Sequence, residues 1–457
     1  MLLVSAYELG HQPVHVASPA GRLREAGHEV DALDLAVQSY DPERVAWAQA
    51  VAISVPMHTA MRLGIGFAER VRRDHPTTPI CAYGLYAPVG AERTVGPTFD
   101  AAIAGEYEHG LRAWVDAVAT GATTAEAAQA AGPLIQRGRG RDRFATPARD
   151  LLPGLLGYAR MEHAGDQHLS AAVETTHGCK HRCKHCPLPT VYDGQFRVVD
   201  QESVLADVDQ LVAAGAQHLT FADADFLNGP RHALELTRAI HDRHPHLTTD
   251  ATVKVEHILA HRHVWPQLAA SGMTFVISAV ESLDDPILEL LDKGHTAQEA
   301  GEAVHVLRAH GIEPRPTFLP FTPWSTPQTL NRIVDWILAH DLVGNVDPVQ
   351  LTIRLLVPEG SLLAEHPAFT PHVTGHDTDA LQLRWAHPDP AMDALQAELE
   401  TYVAERADAD ADPTATLVEV ARRIRRAAGR ADADEAAAQV EAGAVTGRPR
   451  MTEPWFC

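Results

Sequence analysis

Cysteine is scarce in this chain, and so is positive charge. Five cysteines occur among 457 residues, at positions 81, 179, 183, 186 and 457. A secreted disulfide scaffold would carry more of them, spread more evenly, so a reducing cytoplasm is the expected setting. Lys and Arg number 38 against 60 Asp and Glu, for a formal net charge of −22. A chain built to coat nucleic acid or to sit on an anionic membrane needs the opposite balance. Long apolar runs are missing as well. No stretch has the length of a membrane span, and MLLVSAYELG lacks the charged and apolar regions of a signal peptide. No solenoid-type repeat occurs. What remains is 45% hydrophobic and 21% charged, a globular composition in a chain long enough for two or three domains.

Short apolar runs at 2–7, 29–36, 50–57, 79–87 and 99–106 alternate with helical stretches such as 60–74. That alternation predicts a doubly wound parallel sheet with helices on both faces, over residues 1–122. Ligands of such sheets sit at the carboxyl ends of the strands. A linker is expected over 123–170, where QRGRGRDRFATPARD (136–150) is rich in Gly, Arg and Pro. Six further strand candidates follow, at 171–176, 218–226, 246–254, 273–282, 313–321 and 349–357. They predict a partial (β/α) barrel over 171–365. From 366 to 457 the chain reads as helical, ending in a short aromatic tail.

The chemistry is concentrated in VETTHGCKHRCKHCP (173–187), directly after the first of those barrel strands. Cys179, Cys183 and Cys186, spaced Cys-x3-Cys-x2-Cys, point three thiolates at one centre. Three thiolates hold three corners of a cubane iron–sulfur cluster and leave one iron open, whereas an electron carrier would recruit a fourth cysteine. A structural zinc is the alternative, since His177, His181 and His185 are interleaved with the thiols. Structural zinc, however, prefers two separated ligand pairs. The histidines, with Lys180, Arg182 and Lys184, otherwise make a polar, cationic loop suited to an anionic cofactor.

This loop, with Gly178 before it and Pro187 after it, resembles that of the radical S-adenosylmethionine (SAM) superfamily over residues 171–360. The resemblance implies a [4Fe–4S] cluster on Cys179, Cys183 and Cys186. Its free iron would be chelated by the amino and carboxylate groups of SAM, and reductive cleavage would give methionine and a carbon radical. It further implies SAM contacts from Asp223 and Asp225 in FADADF (221–226) and from Ser278 or Glu281 around AVES (279–282). Lys293 follows at the expected place, and 316–321 and Arg354 are pocket candidates. For each acidic residue a strand-end cap or a salt bridge is the competing role. An electron donor such as flavodoxin or ferredoxin is implied as partner.

A doubly wound sheet ahead of such a barrel resembles the cobalamin-binding arrangement of one large subgroup, and GEYE (105–108) resembles its Gly-Glu-x-Glu stretch. The Asp-x-His-x-x-Gly motif that ligates cobalt is missing; in SAYELGHQP (5–13), His11 is wrongly spaced for it. Three functions therefore stay open. The first is cobalamin-dependent transfer of a methyl or other carbon group to a small molecule. The second is aminocarboxypropyl transfer by an enzyme with a vestigial cobalamin domain. The third is a non-enzymatic metal-binding or electron-carrying protein. The tail RPRMTEPWFC (448–457) resembles radical SAM proteins ending in Cys-Cys-Ala-Glu-Pro or Cys-selenocysteine-Ala-Glu-Pro, which would place selenocysteine, encoded by UGA, after Cys457. The competing account docks Trp455 and Phe456 on the barrel and leaves Cys457 incidental.

Overall fold

The computed structural model describes residues 1–137, 143–442 and 447–453. The first sheet comprises β1 (Leu2–Ser5), β2 (Asp31–Asp34), β3 (Val51–Ser54), β4 (Ile80–Tyr83), β5 (Ala101–Gly105) and β6 (Ile135–Gln136). All pair in parallel, in the order β2-β1-β3-β4-β5-β6. Apart from the edge strands β2 (Asp-Ala-Leu-Asp) and β6 (Ile-Gln), the strands are largely apolar because both faces are covered. Leu3, Ala52, Cys81 and Ile103 pack into one core and Leu2, Val4, Ile53 and Ile80 into another. Helices Val14–Glu25, Tyr107–Ala119 and His58–Asp74 supply the covers. The strand order reverses beside β1, which opens a crevice at the carboxyl ends. All five anticipated strands form. The sixth, β6, has two residues, too few for a readable pattern, and it lies within the segment expected as a linker.

The second sheet opens with β7 (Arg160–His163) and β8 (Asp166–Val173), after which a small hairpin, β9 (Thr176–Gly178) and β10 (Phe196–Val198), frames the three-cysteine loop. Next come β11 (His218–Phe221), β12 (Thr248–Thr252), β13 (Met273–Glu281) and β14 (Glu313–Phe318). Strands β8, β11, β12, β13 and β14 are parallel neighbours, as a partial barrel requires. The expected sixth strand at 349–357 is reduced to one bridge between Phe321 and Arg354. Its first part winds instead into a 3-10 turn, Pro348–Leu351, because proline fits a first helical turn and donates no ladder hydrogen bond.

A hairpin that the sequence did not announce, β15 (Val373–Asp377) with β16 (Gln382–Trp385), precedes helices Pro390–Asp408, Pro413–Ala427 and Ala433–Ala442. The chain then returns as β17 (Arg450–Met451), antiparallel to β7, and covers that edge of the barrel sheet. Met451 joins Met161, Phe275 and Ile277 in a core inside the curl of the sheet. Pro454, Trp455, Phe456 and Cys457, on which the tail reading rests, lie outside the described residues. No helix among the described residues is long and apolar enough to cross a membrane.

Candidate functional site

Thiol placement follows from one glycine and one hairpin. Gly178 closes β9 with φ +79°, and a Cβ there would stand 2.5 Å from the Gln195 carbonyl oxygen and 2.7 Å from the Tyr192 ring. Only glycine folds the chain this tightly into the loop. Cys179 and Cys183 are buried and Cys186 is partly exposed, all three as free thiols. Cys179 Sγ stands 3.8 Å from Asn228 Oδ1, which also accepts the Lys180 amide at 3.3 Å. The Cys186 amide donates to the Cys183 carbonyl at 3.2 Å, and the Lys184 amide to that of Leu291 at 2.9 Å. The three sulfurs act on one another electrostatically, with the Lys293 ammonium beside Cys183 and Cys186.

Burial pushes the Cys179 thiol up and the Cys186 thiol up to about 12. Neutral thiols are what a metal-free pocket holds; a metal displaces the protons as it binds. Cys81 is no competitor as a ligand, being a core residue of β4 in the other sheet. Three thiols of one loop that interact with one another, with a neighbouring ammonium, fit a cluster with one open iron.

Among the anticipated SAM-contacting residues, Glu281 sits nearest the loop. It closes β13 at φ +63°, 3.1 Å from Lys293 Nζ and 3.2 Å from His185 Nε2. Burial alone would raise its pKa; Lys293 and His185 outweigh it and hold the carboxyl well below the usual carboxylate range. Ser278 requires a correction. Side chains alternate along a strand; Val276 and Val280 belong to the helix-facing core and Phe275 and Ile277 to the interior one. Ser278 shares the parity of Val276 and Val280, so it faces the helices and not the barrel mouth.

Asp223 and Asp225 are turned inward rather than toward a ligand. The Thr175 amide and hydroxyl and the Thr176 hydroxyl all donate to Asp223, and burial, against those donors, pushes its carboxyl up to about 7. Asp225 accepts the Leu227 amide at 3.0 Å and stands 2.9 Å from His257 Nδ1. Arg354 is likewise committed, to Asp393 at 2.6 Å and to the Trp385 ring and carbonyl.

The carboxyl ends of the two sheets meet at a group of residues the sequence left unconnected. His177, between Thr176 and Gly178 of β9, has Nε2 3.0 Å from Glu174 and Nδ1 3.5 Å from Glu106; Glu108 lies 3.9 Å away. Burial opposes the imidazolium, but these carboxylates raise the His177 pKa well above its ordinary value. Arg197 of β10 donates to Glu106 at 2.8 Å, and the Tyr192 hydroxyl to the Gly105 carbonyl at 3.3 Å. His15 stands 2.9 Å from Glu8 and 3.7 Å from Glu174. A cleft of about 290 Å³, lined by Glu106, Glu108, Gln136, Phe144 and Arg197 among others, opens beside them. GEYE announced Glu106 and Glu108; nothing local announced His15, Glu8 or Glu174, whose pairing joins distant segments.

This group makes stability depend on pH. Burial would depress the His15 pKa, yet Glu8 and Glu174 raise it to about 9. A histidine with a raised folded-state pKa stabilises fully below its ordinary value of 6.5, and that stability is lost as pH rises toward 9. The unfolding midpoint should therefore fall between pH 6.5 and 9, and His15→Gln should flatten part of that slope, leaving the share of His177. An unchanged slope in His15→Gln would contradict the assignment.

Comparison with known proteins agrees with this geometry. The radical SAM superfamily matches residues 173–337. An uncharacterized methyltransferase of Pyrococcus horikoshii is 24% identical over 235 residues, covering 51% of this chain and 48% of that protein. The hopanoid C-3 methylase of Methylococcus capsulatus is 25% identical over 166 residues, covering 36% and 31%. The chain thus matches about half the length of the first curated relative and about a third of the second. Among solved structures, the cobalamin-dependent radical SAM enzyme OxsB superposes with a TM-score of 0.67 at 13% identity, covering 92% of this chain and 68% of OxsB. The radical SAM methyltransferase TsrM from Kitasatospora setae, with cobalamin and a [4Fe–4S] cluster bound, gives 0.62 at 16%, covering 97% and 99%. These likenesses extend the shared fold across both sheets. Residues 173–337 thus match a radical SAM domain, a domain that implies S-adenosylmethionine and a [4Fe–4S] cluster as cofactors.

Proposed function

We propose that this enzyme transfers a methyl or other carbon group to a small molecule, with SAM at the cluster and cobalamin on the N-terminal sheet. One observation carries the reading: the carboxyl ends of the two sheets face each other. Glu106 and Glu108, just after β5, stand at ion-pair distance from His177 of the cluster hairpin. A group bound at the crevice of the first sheet would adjoin the three-cysteine loop. The structural likeness to OxsB and TsrM, whose cobalamin is bound in a chain of this fold, supports it.

Cys179, Cys183 and Cys186 would hold the cluster, and Glu281, kept ionised by Lys293 and His185, would face the polar end of SAM. Asp223 and Asp225 would act as positioning residues, fixing Thr175 and Thr176 after β8 and the turn after β11. A cluster held there would supply one electron to SAM, and cobalamin in the crevice would supply a carrier for the carbon group. A small ferredoxin or flavodoxin would deliver the electron.

His11 takes no part in holding cobalt in this account. It is buried in the electrostatic field of Asp250 and His218, on the strands of the other sheet. Protein expressed with ample cobalamin should retain the cofactor through desalting, with an optical spectrum unchanged by His11→Ala. Loss of all cobalamin from the wild-type protein would sink the reading. The vestigial-domain alternative, with aminocarboxypropyl transfer, would then stand in its place.

A further inference from the structure

Two histidines beside the cluster loop are arranged in a way that the cluster does not explain. His181 lies between Cys179 and Cys183, and His257 lies on the short helix Val255–Ala260 that follows β12. Their Nε2 atoms face each other at 3.0 Å. Behind each ring stands a carboxylate. Asp225 Oδ2 is 2.9 Å from His257 Nδ1, and Glu256 Oε2 is 3.6 Å from His181 Nδ1. Neither contact has hydrogen-bond geometry, and His257 Nδ1 is buried without a hydrogen-bond partner; the negative charge beside each Nδ1 favours the tautomer with its proton there and the lone pair on Nε2. The two lone pairs then stand side by side at that 3.0 Å separation, with the ring centroids only 4.6 Å apart, so the rings are bent toward one another and not aligned head-on.

That arrangement repels unless the two nitrogens share a proton or a metal cation. Asp225 and His257 are buried, 0% and 3% exposed, while His181 is partly buried at the outer side of the pair. The separation also suits two ligands of one ion. Bonds of about 2.0–2.1 Å from imidazole nitrogen, opened by a right angle or a tetrahedral one, put the nitrogens roughly 2.9–3.4 Å apart. Ligating atoms of His181, His257 and Asp225 all lie within 4.8 Å of one another. His261 comes four residues after His257, with ring centroids 5.4 Å apart, and offers a further imidazole at the outer side. Around the pair stand the carboxylates of Asp225 and Glu256, with Lys254 Nζ 3.4 Å from Glu256 and Lys180 acting on His261.

We propose that His181 and His257 form a second metal site, separate from the cluster, which takes a borderline divalent ion such as zinc. Asp225 and Glu256 are its positioning residues, acting through the two rings. The ion would pin the cluster loop to the connection after β12, a tie between segments 76 residues apart. The paired carboxylate–histidine–metal pattern is the usual way a protein fixes such ligands.

The test uses the full chain with its cluster in place, incubated anaerobically with one equivalent of Zn²⁺, desalted and analysed for both metals. About one zinc should stay per chain in addition to the cluster iron. His257→Ala should lose the zinc and keep the iron, and Asp225→Asn should weaken zinc binding about 10- to 100-fold. Co²⁺ in place of zinc should show ligand-field bands without a thiolate charge-transfer band, and those bands should vanish in His257→Ala. Retention of equal zinc by His257→Ala would overturn the proposal. So would a wild-type protein that holds no zinc, which would leave the two rings sharing only a proton. Loss of iron together with zinc in His257→Ala would assign that histidine to the cluster instead, and overturn it too.

Discussion

Cys183→Ala should abolish SAM cleavage, down to background, while the protein stays folded. Cys183 is one of three loop thiols that interact with one another, and the other cysteine among the described residues, Cys81, is buried in the first sheet. Two thiolates cannot hold the cubane, so iron content should fall with the activity. The fold should survive because the loop stands between β9 and β10, outside the two main cores. Far-ultraviolet circular dichroism and iron analysis on the same preparation separate the two effects. Cleavage that persists in Cys183→Ala with iron retained would refute the assignment of this ligand.

Arg149→Ala should destabilise the protein by about 3–5 kcal/mol. Arg149 is buried and makes a two-pronged pair with Asp207, Nε at 2.9 Å and Nη2 at 2.8 Å. It also donates to the Ala172 carbonyl of β8 at 2.6 Å and to the Gln12 carbonyl at 3.1 Å. One side chain from the segment expected as a linker therefore joins the first barrel strand, helix Gln201–Ala213 and the loop after β1. Removing it leaves Asp207 buried with only Gln210 as a side-chain donor, at 2.8 Å. The loss is the cost of an uncompensated buried charge, not the worth of the pair. Replacing both residues by apolar ones of similar volume, as in Arg149→Met with Asp207→Leu, should recover most of it. Denaturant unfolding checks both variants; a single-variant loss under about 1 kcal/mol would contradict the account.

The residues explain why some of this was legible in the sequence and some was not. Strands buried on both faces, such as LLVS and VAIS, announce themselves as short apolar runs, so the doubly wound sheet could be read directly. The Cys179, Cys183 and Cys186 spacing was legible because a single loop carries all three ligands. Ser278 was misplaced because a motif gives position along a strand but not which face the side chain takes; Val276 and Val280 on either side settle that only once the sheet is seen. Strands β6, β7 and β17 are short, and β17 finds its pairing with a neighbour far away in sequence: Met451 meets Met161. The contacts of His15 with Glu174 and of His181 with His257 are also long-range, so no window of sequence contains them. Prolines ended the sixth barrel strand, a signal present in the sequence at Pro348 and read past.

The central claim is that the three-cysteine loop holds a cluster open to SAM. It is tested most directly by the spin-resonance spectrum of the anaerobically reconstituted, reduced protein, taken with and without SAM beside an iron analysis. The account predicts about four irons per chain and a reduced-cluster signal that shifts when SAM is added. Zinc near one per chain with no iron would contradict it, and so would a cluster signal that SAM leaves unmoved.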